Sequence, residues 1–255
     1  NSGMYKNAFT CGIPGSNFCG NEFAAALGVL AGDPDKGLEC LANVTDMDNA
    51  LAEMMVKTGR IRVHMSEITS RIFIEARVKA EEGEAVVTIR DAHTNIVNIQ
   101  VNGETIFSGE EESGEHGGDH PADIHSYTLQ QIYDYAVSVP AEEIAFIQEA
   151  YEMNGKLFEE GIHSERTTYA RYLLEQNGGE IISDDEQKTA SLLCNAAIEA
   201  RVIGLDSPAM SITGSGAHGI IATMPLYGVC RHRNLPDEML WRATAISYLV
   251  CMYIK

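Results

Sequence analysis

The residue types and spacing best suited to chemistry lie in a glycine-rich stretch late in the chain, residues 211–228, SITGSGAHGIIATMPLYG. Gly214, Gly216 and Gly219 precede an apolar run that can start a helix at Ile220. The first N–H groups of a helix have no partner within that helix, and the helix dipole favours an anion beside them. The pattern therefore predicts a site for a small carboxylate or phosphate, which the missing Cβ atoms allow to approach the backbone.

Ser215 and His218 can add hydrogen-bond donors to this site. A helix end contributes about 0.3–1 kcal/mol to anion binding, and up to about 2 kcal/mol when partly buried, which can orient a substrate but cannot catalyse difficult chemistry. The stretch lacks the Lys-Ser or Lys-Thr ending of a P-loop, and its helical surroundings argue against a dinucleotide-binding unit. A tight turn between helices, whose glycines only permit close packing, stays open as the alternative.

His93, Thr94 and Asn95 form a second polar group, between two predicted strands. An imidazole changes its charge near neutral pH, which makes His93 the candidate for proton transfer, with Thr94 and Asn95 beside it in a cleft. A surface turn with an exposed histidine would explain the same three residues. Lys255 is a further candidate catalytic residue, although a cation at the end of a helix also suits the helix dipole.

An early loop, residues 12–20 with the sequence GIPGSNFCG, precedes an alanine-rich helical pattern. Glycines in such a loop leave the backbone accessible, so we expect Gly15 and Ser16 to line the substrate cleft. Arg201, near the end of a predicted helix, is interpreted as an ion-pair partner rather than a ligand contact.

Residues 109–125, GEEESGEHGGDHPADIH, combine carboxylates with histidines in a segment without apolar periodicity. A metal site could use five of these side chains, Glu115, His116, Asp119, His120 and His125. A Gly-Gly pair and Pro121 oppose the helix that would align two of the histidines, so an exposed acidic connector is the favoured interpretation. We therefore predict no metal ligands in this chain.

The helices and strands that must position these residues can be predicted from sequence patterns, and together they indicate an α+β fold. Alternation of apolar and polar residues indicates four or five mostly antiparallel strands, at 61–65, 72–78, 85–89, 96–101 and 105–107. Asn102-Gly103, between the last two, is a strong signal for a type I′ hairpin. Helical patterns precede the strands at 21–32, 35–42 and 46–57, the last with Thr45 or Asp46 as its N-cap.

The chain accordingly divides into three parts: an N-terminal α/β unit with a mostly antiparallel sheet at 1–108, an acidic connector at 109–127, and an all-helical part at 128–255 that carries the glycine-rich loop. Pro140 and Pro236 are predicted to mark helix starts. The chain begins without an initiator Met, and its last apolar helical pattern has neither a glycine cap nor a polar tail. We expect a piece of a longer protein, incomplete at both ends.

The composition argues against several classes of function. A formal net charge of −19 repels phosphate backbones, so we expect no nucleic-acid partner. No apolar run reaches the roughly 20 residues that span a bilayer, which gives no reason to expect a membrane partner. The six cysteines form no CxxC pair, which predicts reduced thiols in a cytoplasmic protein. A homo-oligomer is compatible with the sequence, which does not specify one.

Four blocks of the chain resemble the serine dehydratase-like alpha family that includes L-cysteine desulfidase, in this order: 5–41, 91–97, 212–229 and 246–255. Together they span nearly the whole chain, and four ordered blocks are more specific than any one of them. The chain is also similar, more weakly, to iron–sulfur L-serine dehydratases in the glycine-rich loop and the GIIATMP that follows. It carries Ala217-His218 where relatives often carry Asn-Gln, a difference that bears on substrate contacts.

The resemblance implies a lyase that works without pyridoxal phosphate on a small amino-acid substrate. Such enzymes remove the β-substituent of L-cysteine or L-serine to give pyruvate, ammonia and sulfide or water, with a [4Fe–4S] cluster as the Lewis acid. The family's cluster-ligand cysteines lie in blocks that this chain does not contain. The cluster is therefore expected in the intact protein, with its ligands outside this chain.

Two functions of other classes remain as alternatives. A small-carboxylate-binding or regulatory module without catalytic activity would need only the glycine-rich loop. A metal-binding protein would instead use the histidines between 116 and 125.

Overall fold

The computed structural model describes residues 7–66, 72–109 and 123–254. The chain divides into two compact units, Asn1–His120 and Pro121–Lys255. A four-stranded antiparallel sheet lies in the first unit, and helices dominate the second, which confirms the predicted α+β class. Most of the segment predicted as an acidic connector, and with it four of the five candidate metal ligands, lies outside the described ranges.

The described part of the first unit includes two α-helices and one sheet. Its elements are α1 (Asn21–Ala31), α2 (Asp46–Lys57), β1 (Phe73–Ala80), β2 (Gly83–Arg90), β3 (Ile96–Val101) and β4 (Glu104–Ser108). The side chain of Thr45 accepts a hydrogen bond from Asp48 N, and the Asp48 carboxylate accepts one from Thr45 N, so Thr45 is the N-cap of α2 as predicted. The two helices pack on a small apolar cluster that includes Ile13, Leu27 and Ala52.

The sheet is a meander in which each strand pairs with the next along the chain, in the order β1-β2-β3-β4. Asn102 and Gly103, with φ of 52° and 82°, join β3 to β4. Both values are positive, as a type I′ turn requires, which confirms the predicted hairpin. Residues 91–95 form the turn between β2 and β3, and Arg90 N donates to Asn95 O across its base.

Two predictions for the first unit were wrong. Residues 61–66 form no strand, and the apolar side chains of Val63 and Met65 are exposed, because alternation along a segment does not supply a neighbouring strand to pair with. The predicted helix at 35–42 is instead a short 3₁₀ segment, Pro34–Glu39, which is interrupted at Gly37 by a φ of 55°. A positive φ at this glycine breaks the helical hydrogen-bond ladder.

The described part of the second unit consists of helices and the loops that connect them. Its helices are α3 (Leu129–Ser138), α4 (Ala141–Ile144), α5 (Gln148–His163), α6 (Tyr169–Gln176), α7 (Glu186–Val202), α8 (Gly216–His232) and α9 (Asp237–Ile254). Pro236 directly precedes α9, as predicted, and Pro140 is the N-cap of the one-turn α4 rather than a residue of its first turn. No helix in the described ranges is both long and apolar enough to cross a membrane.

Small residues bring α5, α7 and α8 into close contact. A Cβ on Gly161 of α5 would lie 2.6 Å from the carbonyl oxygen of Ala196 on α7, and one on Gly228 of α8 would lie 3.0 Å from Cα of Ala190. The backbones can therefore approach more closely than larger side chains would allow. The core at this junction is fully buried and consists mainly of Leu157, Leu192, Leu193, Ile220 and Met224.

A buried amide ties α5 to α8 and to the loop that precedes it. Asn154 is fully buried; its Nδ2 donates to Thr223 Oγ1 at 3.0 Å, and its Oδ1 accepts from Met210 N at 2.9 Å. Thr223 Oγ1 in turn donates to Gly219 O at 2.7 Å. Buried polar groups are costly unless they are paired, so this network fixes the loop against the start of α8.

Gly219 allows that loop to lie against the first turn of α8. A Cβ on Gly219 would lie 1.9 Å from the carbonyl oxygen of Met210 and 3.1 Å from Cα of Ser211. The opposing atoms belong to the backbone, which cannot rotate away as a side chain would.

Glu199 of α7 caps the start of α6 from outside that helix. Its carboxylate accepts hydrogen bonds from the N–H groups of Thr168, Tyr169 and Ala170 at 2.7–3.0 Å. Burial acts to raise the pKa of this carboxyl, but the three N–H donors outweigh burial and hold the pKa below its ordinary value of 4.5.

We expect Glu199→Gln to lower the free energy of unfolding by about 1 kcal/mol at neutral pH, because the charged acceptor at the start of α6 is lost. A carboxyl whose pKa is depressed by folding adds stability above pH 4.5, and that stability is lost as the pH falls through the folded-state pKa. The difference between the two proteins in urea unfolding should therefore shrink in acid. Glu175→Gln, at an exposed position on α6, is the control, and a pH-independent difference would contradict the assignment.

Gly219→Ala should destabilise the second unit by about 1–3 kcal/mol, because the added methyl group overlaps the Met210 carbonyl. Gly155→Ala is the matched control, since a Cβ at this other helical glycine meets no atom within 4 Å. An exposed helical Gly→Ala change stabilises by roughly 0.5–1 kcal/mol. The two variants should thus shift the urea midpoint in opposite directions, and a shift of the same sign would contradict the packing described for Gly219.

Candidate functional site

The glycine-rich loop turns the chain sharply into α8. Thr213 and Gly214 have φ of 52° and 72°, and Ile212 and Ser215 exchange backbone hydrogen bonds of 3.0 and 3.2 Å across the turn. Two consecutive positive φ values, followed by the helix, reverse the chain direction within four residues.

The helix begins at Gly216, four residues earlier than the predicted start at Ile220. Ser215 is its N-cap, and the Ser215 hydroxyl accepts a hydrogen bond from His218 N at 3.4 Å. Serine is among the best N-cap residues, and this preference outweighs the poor helix propensity of the glycines that follow. His218 and Gly219 therefore lie within the first turn of the helix rather than before it.

Two backbone donors are available at this helix start. The N–H groups of Gly216 and Ala217 form no hydrogen bond with any residue that the structure describes. The side chain of His218 is exposed on the same turn, and Gly214 is exposed in the preceding loop. Gly219 is buried against Met210, so the packing role that the sequence left open applies to this glycine.

A guanidinium group lies beside the same helix start. A Cβ on Gly216 would be 2.7 Å from Nε of Arg201 and 3.2 Å from its Cδ, so a side chain at 216 would displace the Arg201 side chain from this position. Within the described ranges, the Arg201 side chain makes no hydrogen bond or ion pair. The acidic partner predicted for Arg201 is therefore not among the described residues, where the Arg201 side chain instead lies against the start of α8.

Arg201 and the two free amides form a site suited to a carboxylate, which we call the α8 anion site. A guanidinium offers a planar fork of N–H donors that matches the two oxygens of a carboxylate. The helix dipole adds to the attraction at the same point. Sequence reasoning missed Arg201; the available signal was a cation in the last turn of the helix before a glycine-rich loop.

The polar turn between β2 and β3 carries the candidate catalytic residues of the first unit. His93 and Thr94 are exposed, and Asn95 is half-buried. The Nδ2 atom of Asn95 is buried without a hydrogen-bond partner in the described ranges, which is unusual for an amide. The structure thus brings His93, Thr94 and Asn95 together on one turn, as their adjacency requires.

Gly15 and Ser16 lie in the loop before α1, where local contacts hold them. Gly15 has a φ of 68° and its carbonyl oxygen accepts a hydrogen bond from Asn49 Nδ2 at 2.9 Å. Ser16 is buried, and its hydroxyl accepts from Phe18 N at 3.1 Å. Gly15 is exposed and open to a ligand, whereas the Ser16 hydroxyl stabilises the turn. Lys255 lies outside the described residues.

The described residues do not fit an iron–sulfur cluster. No group of three or more His, Cys, Asp or Glu side chains among them could hold a metal ion. All six cysteines are unpaired, and burial raises the pKa of the Cys194 thiol to about 11 and raises that of Cys230. Metal ligation needs the thiolate, which burial disfavours at both positions. His125, the described member of the candidate metal set, instead contacts the carbonyl oxygen of Tyr253 at 2.9 Å.

Comparison with known proteins identifies relatives of this chain. Curated relatives include UPF0597 proteins of Clostridium botulinum strain Langeland, 36% identical to this chain, of Aeromonas hydrophila, 35% identical, and of Yersinia enterocolitica, 37% identical. The matches cover 98–99% of this chain and 58–59% of each relative. The chain thus spans less than two thirds of the length of these relatives.

No solved structure matches the chain. Residues 35–255, which include the β2–β3 turn and the α8 anion site, match the family described as serine dehydratase alpha chain. That match covers most of the chain, and the chain therefore belongs to the serine dehydratase alpha chain family.

Proposed function

We propose that the intact protein is a lyase that removes the β-substituent of L-cysteine or L-serine, and that the α8 anion site binds the carboxylate of its substrate. The observation that carries the proposal is the Arg201 side chain, which has no partner among the described residues, beside the N–H groups of Gly216 and Ala217, which have none there either. Family membership supports the reaction class. An amino-acid substrate carries one carboxylate, which this donor set fits.

The contribution of this site to the reaction is charge stabilisation and orientation. Loss of the α-proton leaves negative charge on a carbon next to the carboxylate, so donors that already neutralise the carboxylate lower the cost of that charge. The β-substituent then leaves as sulfide or water, and the resulting aminoacrylate hydrolyses to pyruvate and ammonia. Fixing the carboxylate also restricts the rotation of the substrate, which favours the reactive orientation.

His93 is proposed as the proton-handling residue of the first unit. It is exposed on a short turn between two paired strands, which holds its backbone while leaving the imidazole accessible. Thr94 and Asn95 are proposed to support it as hydrogen-bonding neighbours, and the unpaired Nδ2 of Asn95 is a donor that a ligand can satisfy.

The proposed function assigns no step to a metal within the described residues, because they provide no set of three ligands. A cluster in the intact protein would take its ligands from elsewhere. We also propose a cytoplasmic location, in which the six unpaired thiols would stay reduced.

Arg201→Gln in the intact, iron-reconstituted protein should lower kcat/KM for pyruvate release by roughly 10- to 100-fold, because a hydrogen bond to a charged group contributes about 1.5–3 kcal/mol. Arg201→Lys should recover part of this loss. Arg233→Gln is the matched control, since Arg233 pairs with Glu186 at the opposite end of α8. Equal effects of the two glutamine variants would contradict the assignment.

A failure of the lyase proposal can be distinguished from a failure of the proposed carboxylate site. If the reconstituted protein releases no pyruvate from either amino acid, while Arg201→Gln still weakens amino-acid binding in calorimetry, the protein is a carboxylate-binding module.

His93→Asn should lower kcat by roughly 10²- to 10⁴-fold with little change in KM, since a general acid or base contributes about that factor to the chemical step. The limb of the pH–rate profile that reports the imidazole should disappear at the same time. His64→Asn, at an exposed position in the same unit, is the control. Unchanged kinetics for His93→Asn would instead favour a surface turn without a catalytic role.

A further inference from the structure

A cavity of about 350 Å³ lies among α5, α7, α8 and the loop before α7, apart from the α8 anion site. Small-molecule sites occupy roughly 300–1,000 Å³, so this cavity can hold one small ligand. Met224, its nearest lining residue on α8, is eight positions beyond Gly216, which corresponds to about 12 Å along a helix. The lining is mostly apolar and comprises Tyr151, Gly155, Phe158, Glu159, Ile181, Ile182, Leu193, Met224, Tyr227 and Arg231.

Gly155 leaves the cavity open on the side of α5. A Cβ at this position would meet no atom within 4 Å, although the residue lies in the middle of a helix. The lining also includes Leu193 and Met224, both almost fully buried. The rings of Tyr151 and Tyr227 stack with centroids 5.8 Å apart, and the Tyr151 hydroxyl is hydrogen-bonded to the hydroxyl of Thr244. These walls therefore offer apolar and aromatic surface rather than free hydrogen-bonding groups.

Two charged groups of opposite sign also line this cavity. Arg231 lies over the ring of Tyr227 at 4.7 Å, is hydrogen-bonded to Tyr227 and pairs with Asp237 at 2.7 Å. A guanidinium has five N–H donors, so further donors are available to a ligand. Glu159, on α5, is more exposed, and its carboxylate is 3.7 Å from His163 Nδ1. A guanidinium and a carboxylate on one apolar cavity complement a ligand that carries both an acid group and an ammonium group.

We propose that this cavity binds an L-amino acid with a large apolar side chain, such as leucine, methionine or phenylalanine. The carboxylate of the ligand pairs with Arg231, its ammonium group with Glu159, and its side chain fills the space beside Gly155. A purely apolar ligand would lie beside Arg231 and Glu159 without pairing with either, and a small polar amino acid would leave the apolar walls in contact with water. The site is distinct from the proposed catalytic function and does not depend on it.

The test is isothermal titration calorimetry on the intact protein with L-leucine and L-phenylalanine, in the absence of L-serine and L-cysteine, because the heat of their turnover would obscure the heat of binding. We expect one of the two to bind. 4-Methylpentanoate, which lacks the ammonium group, and 3-methylbutylamine, which lacks the carboxylate, should each bind at least tenfold more weakly than leucine. Absence of binding by both amino acids, or equal binding by leucine and its two analogues, would overturn the proposal.

Variants then locate the site. Gly155→Leu should abolish binding because the new side chain fills the cavity without a backbone clash. Gly28→Leu, a helical glycine of the first unit that is equally open, should bind as the wild type does. Arg231→Gln and Glu159→Gln should each weaken binding by at least tenfold, whereas Arg201→Gln should not. Circular dichroism confirms that each variant is folded, and unchanged binding by folded Gly155→Leu would also overturn the proposal.

Discussion

The arrangement of the second unit depends on one buried amide, that of Asn154. The two polar atoms of this amide bond to partners far from Asn154 in the sequence. These partners are the hydroxyl of Thr223 on α8 and the backbone N–H of Met210 in the preceding loop. Removing an amide from water without such partners would cost roughly 1–3 kcal/mol, so the loop has one strongly favoured position against α5. Met210 then lies where only a glycine at 219 can face it.

The α8 anion site is a consequence of that packing. With the loop fixed, the turn at Thr213 and Gly214 directs the first N–H groups of α8 away from their neighbours. Close contact between α7 and α8 places Arg201 beside Gly216, where a side chain at 216 would displace it. The glycines that suggested ligand binding thus have two different roles, since Gly219 allows packing and Gly216 allows a cation to approach the helix start.

Some parts of this structure could be predicted because residues close together in the sequence determine them. Asn102-Gly103 specifies its own turn through positive φ, and Thr45 with Asp48 forms a capping box within four residues. Where the partner comes from a distant part of the chain, the prediction from sequence was wrong: residues 61–66 alternate as a strand does, yet pair with no strand in the described ranges. Arg201 is the clearest case in the site, because its place before a glycine-rich loop indicates a cation at the end of a helix but not which group of the fold lies beside it.

The topology of the sheet has a consequence for the order of folding. Each strand from Phe73 to Ser108 bonds only to its neighbours in the chain, and every connection is a short turn. The entropy lost on closing such small loops is low, and proteins dominated by local contacts fold fast. During synthesis the ladder can therefore form as soon as Ser108 leaves the ribosome, before the helices that carry Asn154 and Arg201 have been made.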